Sequence, residues 1–301
     1  MDTLKLLFNA VTVVFISTTM FAAGLGATLP ALRAALTNLP LLGLTLLANL
    51  VVVPLLGWGL AVLFGLATAP FIALVLAASS PGGPFGAKLG MVQRGDVTTG
   101  AATQVVLAAL GSITFGFTAN AILRASDVGG GISLDVGVLV RTVALLQLVP
   151  FAIGLLMRHY GPETALAWHP NAVKVSNVTF LIVLIGMLLG NWQDVVNLLG
   201  SRTLLAGFLF GAGAYGVGTL LATGSKVRRT TMGGVAAVRN AGPILAAVGI
   251  AFGDDPAILG AVAALLLSGL AAAIPISVAL GRRRVPTQPL PAEPAPAEPT
   301  R

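Results

Sequence analysis

Val235-Ala236-Ala237-Val238-Arg239-Asn240-Ala241-Gly242-Pro243-Ile244-Leu245-Ala246 lies inside an apolar run that reads as a membrane-spanning helix. Near its middle stand an arginine, an asparagine and a Gly-Pro break. A charge at bilayer depth costs roughly 2.5–3.5 kcal/mol on insertion scales, so such a residue faces a cavity or a partner. The break frees backbone groups that lipid cannot satisfy, and it must be buried in protein or line water. An earlier run is interrupted similarly, at Ser80-Pro81-Gly82-Gly83-Pro84-Phe85-Gly86-Ala87-Lys88. Two interrupted spans in corresponding places of two halves are the sequence pointer to a transporter site.

The composition agrees. Of 301 residues, 56% are hydrophobic and only 9% charged, against about 25% charged in a soluble domain. The chain is therefore an integral membrane protein, and its continuous apolar runs exclude a β-barrel. The net charge of +7 is assigned to cytoplasmic loops, and no nucleic-acid partner is expected. No cysteine is present, so disulfides and thiolate metal sites are excluded. The first apolar run lacks a cleavage site and is read as a retained span.

At about 20 residues per crossing, nine spans are expected, over 6–29, 40–66, 70–94, 96–123, 133–159, 172–192, 201–223, 228–252 and 256–281. The fold class is thus an all-α polytopic membrane protein. Short connections make residues 1–281 one transmembrane domain, followed by a cytoplasmic tail, 282–301, whose Pro/Ala/Glu-rich part from Val285 cannot bury a core. Arg33, Lys88, Arg94, Arg158, Lys174, Lys226, Arg228, Arg229 and Arg282–Arg284 fall on one side. Lys5, Arg124, Arg202, Asp2, Asp127, Asp135, Asp194, Asp254 and Asp255 fall on the other. The positive-inside rule then puts the N-terminus outside and the C-terminus in the cytoplasm. Tyr160, Trp168 and Trp192 are read as interface anchors. Spans 5–9 read as a five-helix repeat, and spans 1–4 as the same repeat lacking its first helix. The broken spans, 3 and 8, then take equivalent places with opposite orientations.

Four stretches together carry a resemblance. They are Gly24-Leu25-Gly26-Ala27-Thr28-Leu29-Pro30-Ala31-Leu32-Arg33 with Asn38-Leu39-Pro40, then Asn49-Leu50-Val51-Val52-Val53-Pro54. Pro81-Gly82-Gly83 with Arg94-Gly95-Asp96 follows, and lastly Arg239-Asn240-Ala241-Gly242. In this order and spacing the chain resembles the bile acid:sodium symporter family. The resemblance implies a panel and a core domain, with two broken helices crossing in the core near the membrane midplane. It also implies organic-anion uptake coupled to two sodium ions. Arsenite carriers, which rely on a membrane cysteine, fit less well, as do auxin-efflux-type carriers.

Against that pattern the sodium ligands are depleted. The family's Ser-Asn pair falls on Gly86 and Ala87, its next Ser and Thr on Gly100 and Gln104, its glutamate on Val235 and its glutamine on Arg239. Only one further ligand, a glutamine, finds a polar counterpart, Asn49; carbonyls at Ala236 and Val238 persist. Sodium wants oxygens and negative charge, so its usual sites are doubtful. Arg239, at a half-helix C-terminus where a cation is favoured, can take the ion's place, and Lys88 can do the same near the other break.

The expected substrate-binding residues are Arg239, Asn240, Gln104, Lys88 and Asn49, with backbone at Gly82, Gly83, Pro84, Gly242 and Pro243. Bland alternatives stand beside each. Arg239 can be a purely structural cation, Lys88 can snorkel, and Asn49 and Gln104 can be interhelical glue. Asn240 can cap freed backbone. Gly211-Ala212-Gly213-Ala214-Tyr215-Gly216 matches GxGxxG but follows no strand, so it reads as close packing. His159 and His169 read as lone loop histidines, and Asp96 as a helix-start residue. No cofactor and no enzymatic constellation is expected. The leading function is secondary transport of small organic anions in a bacterial inner membrane. The alternatives are sodium symport through displaced sites and an anion sensor or channel.

Overall fold

The computed structural model describes residues 2–126, 128, 134–190, 193, 196 and 200–284, the side chains of Asp2, Leu4 and Lys5 excepted. Asp127, Trp192, Asp194 and the tail from Val285 lie outside the described residues. Every regular element described is a helix. These are α1 (Asp2–Gly26), α2 (Leu29–Thr37), α3 (Leu39–Leu47), α4 (Val53–Leu63), α5 (Thr68–Ser79), α6 (Phe85–Val92), α7 (Val97–Ser126), α8 (Val136–Tyr160) and α9 (Pro162–Gly190). Then come α10 (Arg202–Leu220), α11 (Lys226–Ala237), α12 (Ala241–Phe252) and α13 (Pro256–Arg283).

Among the described residues, eight helical segments are long and apolar enough to cross a membrane: Leu6–Gly26, Leu39–Leu63, Val97–Ser126, Val136–Tyr160, Pro162–Leu189, Arg202–Leu220, Lys226–Phe252 and Pro256–Arg283. The protein is a multi-pass membrane protein. The run expected as a span over 70–94 is two short helices. The 12 residues of α5 reach about 18 Å, short of the ~30 Å hydrocarbon layer, and α6 resumes after the break. Lys226–Phe252 is interrupted as well, between α11 and α12.

Two boundaries differ from the sequence reading. Helix α9 starts at Pro162 rather than near 172, because Pro162 and Glu163 suit a first turn. His159 and His169 are therefore on helices, not in loops. Between α3 and α4, Ala48–Val52 widens into a π-helical turn. Pro54 explains it: its ring cannot accept the regular i−4 geometry and it donates no hydrogen bond.

Helix α1 packs on α8 and α9, and α8 touches α7 and α12. Helix α10 packs on α11 and α13, and α5 is enclosed by α4, α7 and α13. Every residue of α5 from Pro70 to Ser79 is buried, as is every residue of α11 from Thr230 to Ala237. The broken helices thus run through the protein interior, where interrupted backbone is tolerated at membrane depth. Leu145, Val149, Ile153 and Leu156 on α8, with Leu181, Ile182 and Ile185 on α9, are exposed and suit lipid contact. The GxGxxG stretch lies within α10, with Gly211 against the backbone of Gly269 on α13. It is close packing, not a dinucleotide loop.

Candidate functional site

The two breaks meet. Asn240 donates its backbone N–H to Ser80 O (2.9 Å), and Gly83 N–H reaches Val238 O (3.4 Å). The Ser80 hydroxyl donates to Asn240 O at 2.7 Å. Each interruption therefore supplies partners for backbone that the other leaves unpaired, as buried amides require. Glycine is needed here for two separate reasons. Gly82 has φ +80° and abuts Ala108 of α7, while any Cβ on Gly83 would collide with the carbonyl of Arg239.

Arg239 follows the C-terminus of α11 and is 5% exposed. Its Nη2 donates to Ala236 O in the last turn of α11 and to Asn49 Oδ1 at 2.8 Å. Its Nη1 donates to Ala78 O, in the last turn of α5, at 3.3 Å. One guanidinium thus serves unpaired carbonyls at two helix C-termini. Each such end carries roughly half a negative charge, so together they offset about one positive charge. Asn49 sits on the π-helical turn and anchors itself by donating Nδ2 to Thr45 O (3.0 Å). Arg239 Nε has no hydrogen-bond partner.

The polar atoms of Asn240 are occupied. Oδ1 accepts from Gly242 N (3.1 Å), capping α12, and Nδ2 donates to Gln147 Oε1 (3.0 Å). Gln147, on α8 and 1% exposed, also accepts from the Ser112 hydroxyl of α7 at 3.1 Å. Its Nε2 is buried without a partner. The sequence reading passed over Gln147, although a lone buried amide in an apolar span is a signal in itself. Pro84 precedes α6, and Gly242 and Pro243 form the first turn of α12.

The matched sodium-ligand positions Gly86, Ala87, Gly100, Gln104 and Val235 are brought together, but no cluster of oxygens results. Gln104 Oε1 accepts from Ala87 N–H at 2.7 Å, capping α6. A Cβ on Gly86 would lie 3.0 Å from Val235 Cα and 3.2 Å from Gln104 Oε1. One on Gly100 would lie 2.8 Å from Thr231 Cγ2 and 3.8 Å from Val235 Cγ2. Val235, fully buried, packs with Leu41, Leu107 and Met232, so hydrocarbon stands where a carboxylate was expected in relatives. Lys88 does not enter this space. Its Nζ donates to Asn177 Oδ1 of α9 (3.0 Å) and lies 4.5 Å from the centre of the Phe85 ring. Among the described residues, no group of three or more His, Asp or Glu side chains could hold a metal ion.

Beside the crossing lies a narrow, partly open cleft, with Phe15, Phe85, Phe180, Phe210, Arg239 and Leu266 among its walls. The rings of Phe15 and Phe85 stand 5.3 and 5.4 Å from that of Phe180. The described acidic residues lie at helix ends. Asp96 precedes α7, accepts from Thr99 N (3.2 Å) and pairs with Arg228 at 2.8 Å. Burial pushes the Asp96 carboxyl up, but bonds from Arg228 and Thr99 outweigh it and hold the group below the usual carboxylate range.

Apolar helices with two mutually bonded breaks, a buried cation at their meeting point and an adjoining cleft define a polytopic carrier architecture. The profile of the sodium bile acid symporter family matches residues 13–198, and the chain belongs to that family. The matched region holds the first break, and the second lies beyond it. Comparison with curated proteins gave no match. At the family level this is a transporter lineage, not an enzymatic one.

Proposed function

We propose that the protein is a secondary transporter of small organic anions in which the Arg239 guanidinium occupies a sodium ion's place, so that transport needs no sodium. One observation carries this reading: three protein oxygens, from Asn49, Ala78 and Ala236, converge on the guanidinium. An oxygen set of this kind suits a monovalent cation, and here a covalently attached cation fills it. The charge balance favours an anionic substrate. Arg239 and the two helix C-termini roughly cancel, while the N-termini of α6 and α12 add about one positive charge; the one acidic residue in the described spans, Glu163, sits in the first turn of α9.

In this reading Asn49 and Ala236 hold the resident cation, and Gln104 and Asn240 fix the half-helices. Helices α1, α8 and α9 form the panel against which the remaining core moves. The chain resides in a bacterial inner membrane with its N-terminus outside.

Thermal melting of the purified protein with a panel of organic anions, in sodium chloride and in choline chloride, tests the reading, because a ligand that binds the folded state raises apparent stability. Equal stabilisation in both salts is expected. Stabilisation only in sodium means that the ion has found other oxygens, and the replacement argument fails.

A further inference from the structure

We infer that Lys88 is the headgroup site of the transporter. It takes the single carboxylate or sulfonate of an amphipathic anion whose apolar body lies in the aromatic cleft, and Asn177 is the placeholder it gives up on binding. The inference rests on the organic-anion reading above and assigns the part of the site that recognises charge.

Three observations lead to it. First, Lys88 is half-buried, yet its ammonium has only neutral partners: Asn177 Oδ1 and the face of Phe85. The ion pair found among the described residues, Arg228 with Asp96, is elsewhere. A half-buried cation without a counter-charge is open to an anion: Asn177 offers it only an amide dipole, whereas a carboxylate or sulfonate offers a full opposite charge at the same distance. Second, Arg239 cannot easily fill this role, because both of its Nη atoms are committed to protein oxygens. A substrate that pulled them away would strand three buried acceptors. Third, the aromatic ring beneath the ammonium is a wall of the cleft. Phe85 packs on Phe180, and both line it. Lys88 is not itself a wall of the cleft, so the headgroup of an apolar body against these rings reaches it past the edge of Phe85.

The placeholder has a mechanical consequence. Lys88 is on α6 and Asn177 on α9, so their bond ties a broken helix to the neighbouring helix α9. An anion that captures Lys88 releases that tie. Binding energy then favours a state in which α6 and α9 separate, which is what a ligand must do to shift a two-state equilibrium.

The test uses phenylbutanoate and taurocholate as probes, a small and a large apolar body with one anionic group each, and phenylbutanamide as the uncharged twin. Affinities are measured by calorimetry on detergent-purified protein in choline chloride. Wild type is expected to bind at least one anion and not the amide. Lys88→Met should weaken that binding about tenfold to a hundredfold, as loss of a charged hydrogen bond implies, and Lys88→Arg should restore most of it. Asn177→Ala removes the competitor and should tighten binding about fivefold. Asn177→Ala keeps Lys88 intact, so it answers even where Lys88→Met does not fold. Unchanged affinity in Lys88→Met, or unchanged or weaker affinity in Asn177→Ala, overturns the headgroup assignment while the organic-anion reading stands. Binding of neither anion by wild type overturns both.

Discussion

If the guanidinium holds a sodium ion's place as proposed, converting Arg239 to glutamine should create a sodium requirement. In the native state the guanidinium donates to Asn49 Oδ1, Ala78 O and Ala236 O, all buried. In Arg239→Gln the shorter side-chain amide, with two N–H donors, can serve two of these at most. At least one buried acceptor is then orphaned, so the variant should lose about 1–3 kcal/mol in choline chloride. The emptied cradle, with the new amide oxygen, offers four oxygens at two negative helix ends. For a sodium dissociation constant of about 10 mM, adding about 150 mM sodium returns ~1.6 kcal/mol by mass action. At roughly 2–4 °C per kcal/mol for a chain of this size, the variant should melt about 3–6 °C higher in sodium than in choline. Wild type should melt equally in both. Differential scanning fluorimetry across a sodium titration reads both numbers. A variant indifferent to sodium shows that the cradle is not a cation site, and a sodium-stabilised wild type shows that the guanidinium has not replaced the ion. Either result refutes the reasoning.

Other predictions follow from the same geometry. Gly83→Ala forces a methyl into the Arg239 carbonyl and should destabilise by about 1–3 kcal/mol or more, seen as a lowered melting temperature with transport lost. Gln104→Leu strips the cap from Ala87 N–H and should cost about 1–2 kcal/mol, without introducing any sodium dependence. The Asp96 carboxyl, depressed in the folded state by Arg228 and Thr99, contributes stability that is complete above its unfolded pKa of about 3.9 and fades as pH falls through the lower folded value. Melting curves of wild type and Asp96→Asn should therefore differ at neutral pH and converge in acid. A gap that persists below that range would show that packing, not ionisation, sets the effect.

Much of the fold was legible because bilayer solvation allows few solutions. Length, apolarity and the two Gly/Pro interruptions announced a helical bundle with broken spans, and the breaks do meet. Arg239 was legible as a buried cation at a half-helix end for the same reason. What the sequence concealed is mostly reciprocal. Asn49 reads as an isolated amide, and only the π-helical turn before Pro54 shows that it faces a residue 190 positions away. Asn240 read as a substrate ligand, yet the same amide is more urgently needed to cap α12 and hold Gln147. Gln147 stands out locally as an amide in an apolar span, but its partners come from α7 and from the second break, which the local sequence does not show. The pairing of Lys88 with Asn177 was hidden in the same way, since it joins helices far apart in sequence. Periodicity reports which face is apolar, not which polar atoms meet across it.

A resident cation changes the electrical sign of transport, and this yields the sharpest separation from ordinary symport. In the symport implied by the family resemblance, two sodium ions accompany one monovalent anion and carry one net positive charge inward. With Arg239 fixed in the protein, a uniported monoanion carries one net negative charge inward. Moving one charge across 100 mV is worth about 2.3 kcal/mol. A potential of about 60 mV therefore shifts the accumulation ratio roughly tenfold, upward when the interior is positive for the uniporter and upward when it is negative for the symporter. Proteoliposomes bearing a valinomycin-clamped potassium gradient, assayed with radiolabelled taurocholate in sodium-free and in sodium-containing buffer, measure the sign directly. Accumulation favoured by an inside-positive potential agrees with a guanidinium that stays while the anion moves. No response to potential, with acceleration by internal anion, identifies exchange, which is also compatible with a fixed cation. Accumulation driven by an inside-negative potential, and only with sodium present, means that mobile cations still accompany the anion. Arg239 would then be a structural brace on two helix ends and nothing more.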